Sequence, residues 1–387
     1  GTIGQDGTTT TINQESMRLL LEWQTFDVAA DESVIFNQPG TMAVALNRIL
    51  DQDASEIFGA IDANGMVFLI NPNGIIFGET ATVNVGALVA SSLDIDYDDF
   101  MAGNYDFQAL ADGSPGIVVN RGLLQAATGG SITLLGGSVA NEGLIVAELG
   151  QVTLGAGRSA SLDFDGDGLL FFEITGEVLE NTGLLDSAVS NTGEIEANGG
   201  QVLLTGSTAK DVFSSVVNNE GIIRAQRIEN TGGVIRLSGG SGTTINTGVL
   251  DASGDASSDG GSIHVTGNYV GLGGDATLTA DGGQNGGEIL IGGGYQGNDA
   301  DVQNAERTYV GSDVTISANA GADGDGGDVI VWGNDVTRFY GSISATGGAN
   351  SGDGGFAEVS GLNTLGFFGS VDLSAANGAF GMLLLDP

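Results

Sequence analysis

The residues in this chain best suited to chemistry are acids set in glycine-rich turns. Asp163, Asp165 and Asp167, followed by Gly168, place carboxylates at alternate positions, as a hard cation such as calcium requires at the start of a binding loop. The complete loop would need a carboxylate where Ile174 stands, and Glu173 comes one residue early. A surface loop with incidental cation affinity is therefore expected, and calcium at Asp163, Asp165 and Asp167 is the only cofactor candidate. Asp323, Asp325 and Asp328 miss the spacing of calcium-binding nonapeptides and read as a solvated acidic turn. His264 is the single histidine, which excludes a paired-histidine zinc site, and no Gly-x-Ser-x-Gly elbow offers it a nucleophile. It is expected to face outward from a strand.

Two further sets of residues bear on polysaccharide chemistry. Acid pairs could serve glycoside hydrolysis, but 49 Asp and Glu guarantee chance pairs on any surface. A lyase would lean on basic residues, for which Arg224, Arg227, Arg236, Arg307 and Arg338 are the candidates. Trp332, Phe339 and Tyr340 flank Arg338 and could stack on sugars, although such aromatics more often fill a core.

What must position these residues follows from composition and repetition. A net charge of -39 excludes binding to a phosphate backbone, so no nucleic-acid partner is expected. With 41% apolar residues the chain can still build a core, and no apolar run approaches the length of a transmembrane helix. The chain lacks cysteine, so it has neither disulfides nor thiolate chemistry. Its 68 glycines recur in a unit in which a glycine pair precedes an alternating apolar segment: GGSITLLGG from Gly129, GGQVLLTG from Gly199, GGSIHVTG from Gly260, GGEILIGG from Gly286, GGDVIVWG from Gly326 and GGFAEVSG from Gly354. A second unit, Asn-x-Gly before apolar residues, starts at Asn120, Asn141, Asn181, Asn191 and Asn246.

Each segment is short, rich in β-branched residues and bounded by turn formers, so it predicts a strand with one buried face. Two or three such strands per repeat, stacked on their equivalents, predict an all-β, right-handed parallel β-helix of roughly 22 residues per coil. Asn at the recurrent turns is expected to stack its amide on the same residue one coil away. Residues 295–309 lengthen one repeat. Residues 1–115 differ: they hold the long apolar stretches LLLEWQTFDV and MVFLINPNGIIFG and are expected to form an amino-terminal cap and core, with β-helix repeats over 116–387. GMLLLDP ends on an apolar strand, so a stalk continuing past residue 387 is expected.

The segments INQESMRLLLEWQTFDVAADESVIFNQPG, VALNRILDQDASEIFGAIDANGMVFLINPNGIIFG and VNVGALVASSLDI resemble the amino-terminal secretion domain of filamentous haemagglutinin-like exoproteins of bacterial two-partner secretion. GGGYQGNDADVQNAERTYVG and GMLLLDP are similar to the continuation seen in large members. The resemblance implies a secreted or surface-exposed exoprotein that crosses the periplasm and is recognised by an outer-membrane β-barrel transporter. It then folds progressively at the cell surface, where it serves adhesion or cell-cell contact with surface glycans or proteins. It implies no catalysis. It also places a secretion role on Asn71, Pro72, Asn73, Gly74 and Ile75, while the Asn-Pro-Asn-Leu motif of some members is missing. Read without the resemblance, Asn71 to Gly74 is a tight turn. Two other classes remain open: a β-helical polysaccharide lyase or hydrolase, and a self-associating fibre subunit.

Overall fold

The computed structural model describes residues 1–111, 113–164, 170–181 and 185–386. Two compact units are present, Gly1–Glu196 with Gly206–Ser214, and Ala197–Thr205 with Ser215–Pro387. In each, the chain winds through three parallel sheets in turn, the architecture of a parallel β-helix.

In the first unit the first sheet stacks Thr9–Asn13, Ser33–Asn37, Ala60–Ala63, Thr82–Val85, Leu123–Ala126, Leu144–Val146 and Glu194–Glu196. Thr2–Asp6 folds back antiparallel on Thr9–Asn13 and is the exposed terminal strand of that sheet. The second sheet runs from Arg18–Trp23 through Val44–Ile49, Met66–Ile70, Ala87–Ser91 and Ser131–Gly136 to Gln151–Ala156. The third holds Ser55–Ile57, Ile75–Phe77, Ile117–Asn120, Ser138–Asn141 and Ser187–Asn191. Both long apolar stretches of the amino-terminal region thus supply coil strands.

The expectation of one buried face per strand fails for this second sheet, whose strands Ala87–Ser91, Ser131–Gly136 and Gln151–Ala156 are buried at every position. The reason is an added layer. Asp94–Ile95, Tyr105–Gln108, Ser159–Phe164 and Leu170–Gly176 form a separate antiparallel sheet. With it comes the single α-helix among the described residues, Tyr97–Ala102, capped by the Asp96 side chain at its start and by Gly103 at φ +90° at its end. Phe100, Tyr105 and Phe107 pack edge-on or tilted against Phe68, beside Leu46, Val89 and Leu135. A sheet covered on both sides reads as a continuous apolar run, which is what MVFLI shows.

In the second unit the first sheet stacks Ile222–Arg224, Val249–Asp251, Thr277–Thr279, Thr315–Ser317, Ser342–Ser344 and Ser370–Asp372. The second stacks residues 201–205, Val234–Ser238, Ser262–Thr266, Glu288–Ile291, Asp328–Gly333, Phe356–Gly361 and Met382–Asp386. The third runs from Ser215–Asn219 and Thr243–Asn246 through Tyr269–Leu272, Arg307–Val310 and Val336–Phe339 to Thr364–Phe367. Alternation is clean in residues 201–206, Val234–Ser238 and Ser262–Thr266 and gives way to consecutive buried positions in Glu288–Ile291, Asp328–Gly333 and Phe356–Gly361. Ile263 and Val265 are fully buried, with Ile235, Leu237, Ile289, Ile291, Val329 and Val331 above and below. Each such side chain removed from water contributes about 1.5–3 kcal/mol.

Coil length departs from the expected value. Asn120 and Asn141, adjacent in the stack, are 21 residues apart, but Asn219 and Asn246 are 27 apart and Asp325 and Asp353 are 28 apart. The extra residues form arcs between the first and second sheets, each pinched shut by one backbone bond, such as Gly261 N to Ala252 O and Gly287 N to Ala280 O. At the pinch lies the recurrent glycine pair. A Cβ on Gly286 would sit 2.0 Å from Ala318 O and one on Gly287 2.1 Å from Gly261 O, so the first glycine faces the coil on one side and the second the coil on the other.

Polar stitches complete the coils. Asn120 Nδ2 donates to Asn141 Oδ1 at 2.8 Å and Asn141 Nδ2 to Asn191 Oδ1 at 2.8 Å, while Asn219 bonds Asn246 at 2.7 Å. All five are fully buried. The expected amide stacking is therefore present, with Asn219 joining it and Asn181 lying elsewhere. Beyond Asn246 the same register continues with Leu272, Val310, Phe339 and Phe367, the last two with parallel rings 5.6 Å apart. A neighbouring buried column holds Thr244, Thr308 and Thr337, each donating to a backbone carbonyl; Thr308 reaches Trp332 O at 2.5 Å. Thr308→Val keeps the shape but strips that carbonyl of its donor, and should lower unfolding free energy by about 1 kcal/mol in urea denaturation.

Candidate functional site

Asn71–Ile75 joins the end of Met66–Ile70 in the second sheet to Ile75–Phe77 in the third. Pro72 presets the turn, and Gly74 N closes it on Asn71 O at 2.9 Å. Gly74 has φ +118°, and a Cβ there would meet Ile117 O at 2.7 Å, so both backbone conformation and space require glycine.

Far from being a free turn, the segment is clamped by neighbouring coils. Asn71 is fully buried. Its Nδ2 donates to Asp53 O at 3.0 Å and Ser55 Oγ at 3.1 Å, and its Oδ1 accepts from Asn73 N at 3.0 Å. Asn73 is exposed, yet its Nδ2 donates to Asp51 O at 2.7 Å. In the backbone, Ser55 N donates to Gly74 O, Asn71 N to Ser91 O, and Gly116 N to Pro72 O. Ile75 is fully buried between Ser55 and Val118. The five residues therefore tie three successive levels of the coil together, and Pro72 and Asn73 alone reach the surface. Sequence reading missed their partners, Asp51, Asp53, Ser55, Ser91 and Gly116, because they lie a coil away and carry no local signal.

The other candidates separate. Asp165 and Asp167 of the expected calcium loop lie outside the described residues, as does the Asp163 side chain. Among the described residues no group of three or more acids and histidine is arranged to hold a metal ion. Asp325 does structural work within the arcs: its N–H donates to Asn285 Oδ1 and its Oδ1 accepts from Asp353 N at 2.7 Å, one rung of a ladder that includes Asp259. Asp323 accepts from Ser351 Oγ at 3.4 Å. Asp328 stands in register beside Glu288, and burial together with that charge pushes its carboxyl above the ordinary range. His264 points out from its strand, and its Nε2 contacts Glu288 Oε1 at 2.9 Å.

The arginines do not converge. Arg224 lies on the first sheet, Arg236 on the second, and Arg227 donates to Gly260 O beside an arc. Arg307 and Arg338 share the third. Of the aromatics, Phe339 is fully buried and Trp332 nearly so, packed with Leu290, Ile330 and Val302 under residues 292–306. Tyr340 remains partly exposed.

Each unit is built of coils through three parallel sheets, the architecture of a parallel β-helix, and comparison gives the family. Residues 1–252 match the TPS secretion domain family, and the chain belongs to it. The crystal structure of the HMW1 secretion domain from Haemophilus influenzae matches with a TM-score of 0.82 at 29% identity, covering 98% of this chain and 97% of that one. The heme/hemopexin-binding protein of Haemophilus influenzae is 32% identical over 260 residues, 62% of this chain and 27% of that protein. A protein of the same name from a second strain is 31% identical over 239 residues. The chain thus spans about a quarter of the length of the curated relatives it matches. The family is one of secretion domains and not of enzymes. No described helix is long and apolar enough to cross a membrane.

Proposed function

We propose that this chain carries the secretion signal of a two-partner exoprotein of filamentous haemagglutinin type, recognised by an outer-membrane β-barrel transporter and displayed at the cell surface for adhesion or cell-cell contact. Residues 1–115 supply the cap and core of that signal. Asn71, Pro72, Asn73, Gly74 and Ile75 serve it by closing the coil as the chain folds outside the cell, and not as side chains displayed by the folded domain. One observation carries this reading: the Asn71 side chain is fully buried and spends its polar atoms on residues of its own chain. A motif read by side-chain contact in the folded state would present them outward.

The test is export of residues 1–387, fused to a signal peptide, in cells with and without a cognate transporter. Folded protein in the medium is expected only with the transporter. Export indifferent to it would overturn the proposal and return attention to a polysaccharide-active enzyme, for which the Glu288 and Asp328 pair would be the place to begin.

A further inference from the structure

The outward side of the third sheet in the second unit is unlike the rest of this acidic chain. Tyr269 is paired with Arg307, and Tyr309 with Arg338, on adjacent strands. Gly271, next to Tyr309 in register, also faces outward, and a Cβ there would meet nothing within 4 Å. The glycine therefore answers no steric need in the fold; it leaves open a groove of about 440 Å³ between the tyrosines.

Rings line that groove at the surface. Tyr269 is 43% exposed, with the Arg307 guanidinium 6.0 Å above its ring centroid. Tyr309 is 48% exposed and tilts against Tyr340 at 5.8 Å; Tyr340 in turn stacks on Phe368 at 5.2 Å with 13° between planes. The result is a row of three rings over three successive coils. The two cations differ in their commitments. Arg307 is held by Asp335 at 3.2 Å, whereas Arg338 is exposed and makes no hydrogen bond or ion pair among the described residues. With 10 basic residues against 49 acids, an uncommitted guanidinium beside exposed rings is a rare feature of this surface.

We propose that this groove binds a glycan bearing a carboxylated sugar, with the carboxylate on Arg338 and sugar faces on Tyr309 and Tyr269. Guanidinium matches carboxylate in a two-pronged geometry, and a tyrosine ring offers an apolar face with a polar tip, as the two faces of a sugar require. Coils repeat at about 4.8 Å, close to the advance of one sugar in an extended chain, so successive sugars meet successive coils. An extended peptide would instead need a free strand edge, and Tyr269–Leu272 and Arg307–Val310 are paired on both sides. The overall charge of -39 repels a long polyanion, which selects a glycan with an isolated terminal carboxylate. The site goes beyond the secretion reading and does not depend on it, because it is tested on purified, folded protein.

The experiment is calorimetric titration of residues 1–387 with oligosaccharides ending in a carboxylated sugar, alongside the same compounds with the carboxyl reduced to an alcohol. Binding of the acid form is expected, weaker by about tenfold or more for the reduced form and for Arg338→Gln. Tyr309→Ala should weaken both forms, Arg338→Lys should fall between, and all variants should melt with the native protein. No binding of any carboxylated glycan, equal binding of the reduced form, or native affinity in Arg338→Gln would each overturn the proposal.

Discussion

Asn141→Ala should lower the unfolding free energy of the first unit by about 3 kcal/mol. Asn141 sits between Asn120, which donates to it at 2.8 Å, and Asn191, to which it donates at 2.8 Å, and it also reaches Gly143 O at 3.3 Å. None of these groups is near water, since Asn120, Asn141 and Asn191 are all fully buried. Truncation therefore leaves the Asn120 amide with only its longer bonds to Gly122 O at 3.3 Å and Leu144 O at 3.5 Å and takes a donor from Asn191, and each buried polar group so affected costs about 1–3 kcal/mol. Asn141→Asp would be worse, because it places a charge in the core opposite an acceptor. Urea denaturation followed by circular dichroism gives the value; a loss below about 0.5 kcal/mol would show that the ladder does not hold the coils.

Asn71→Ala should be comparably severe, at about 2–3 kcal/mol. It removes two donated bonds and one accepted bond, and leaves Ser55 Oγ and the Asp53 carbonyl to find other partners beside a new small cavity. Asn73→Ala removes a single bond, to Asp51 O, from an exposed side chain and should cost under about 1 kcal/mol. The ordering of the two variants matters more than either value. If export depends on coil closure, secreted yield should fall steeply for Asn71→Ala and mildly for Asn73→Ala.

The glycine pairs and the Asn-x-Gly turns made the β-helix legible in the sequence because they repeat, and because each does the same local job in most of the coils that carry it. Gly150 shows why: a Cβ there would lie 1.8 Å from Gly130 O, so the pattern records how closely two backbones approach. The coil length was less legible. Arc residues such as Ser253 to Gly260 are polar and glycine-rich like any loop, and the bond that pinches them shut, Gly261 N to Ala252 O, involves backbone alone. Least legible was the added layer over the second sheet of the first unit. Its strands Tyr105–Gln108 and Ser159–Phe164 pair across more than a whole coil, and nothing local marks them as partners.

The candidate site divides in the same way. Asn71 to Gly74 reads correctly as a tight turn, but its burial depends on Asp53, Ser55 and Gly116 from other coils. Trp332, Phe339 and Tyr340 look equivalent around Arg338 in sequence. Register and the covering residues 292–306 bury the first two and leave Tyr340 outside with Tyr309 and Phe368, whose distance in sequence hid the row.

If Asn71–Ile75 supports export by closing the coil, the affinity of the unfolded chain for the transporter is independent of Asn71. Native and Asn71→Ala chains, both held unfolded, would be titrated against the purified transporter, and the stability of each measured after refolding. Equal affinity with a stability loss of about 2–3 kcal/mol in the variant is the predicted result. Weakened binding by a variant that refolds to native stability would contradict it and make the motif a recognition element.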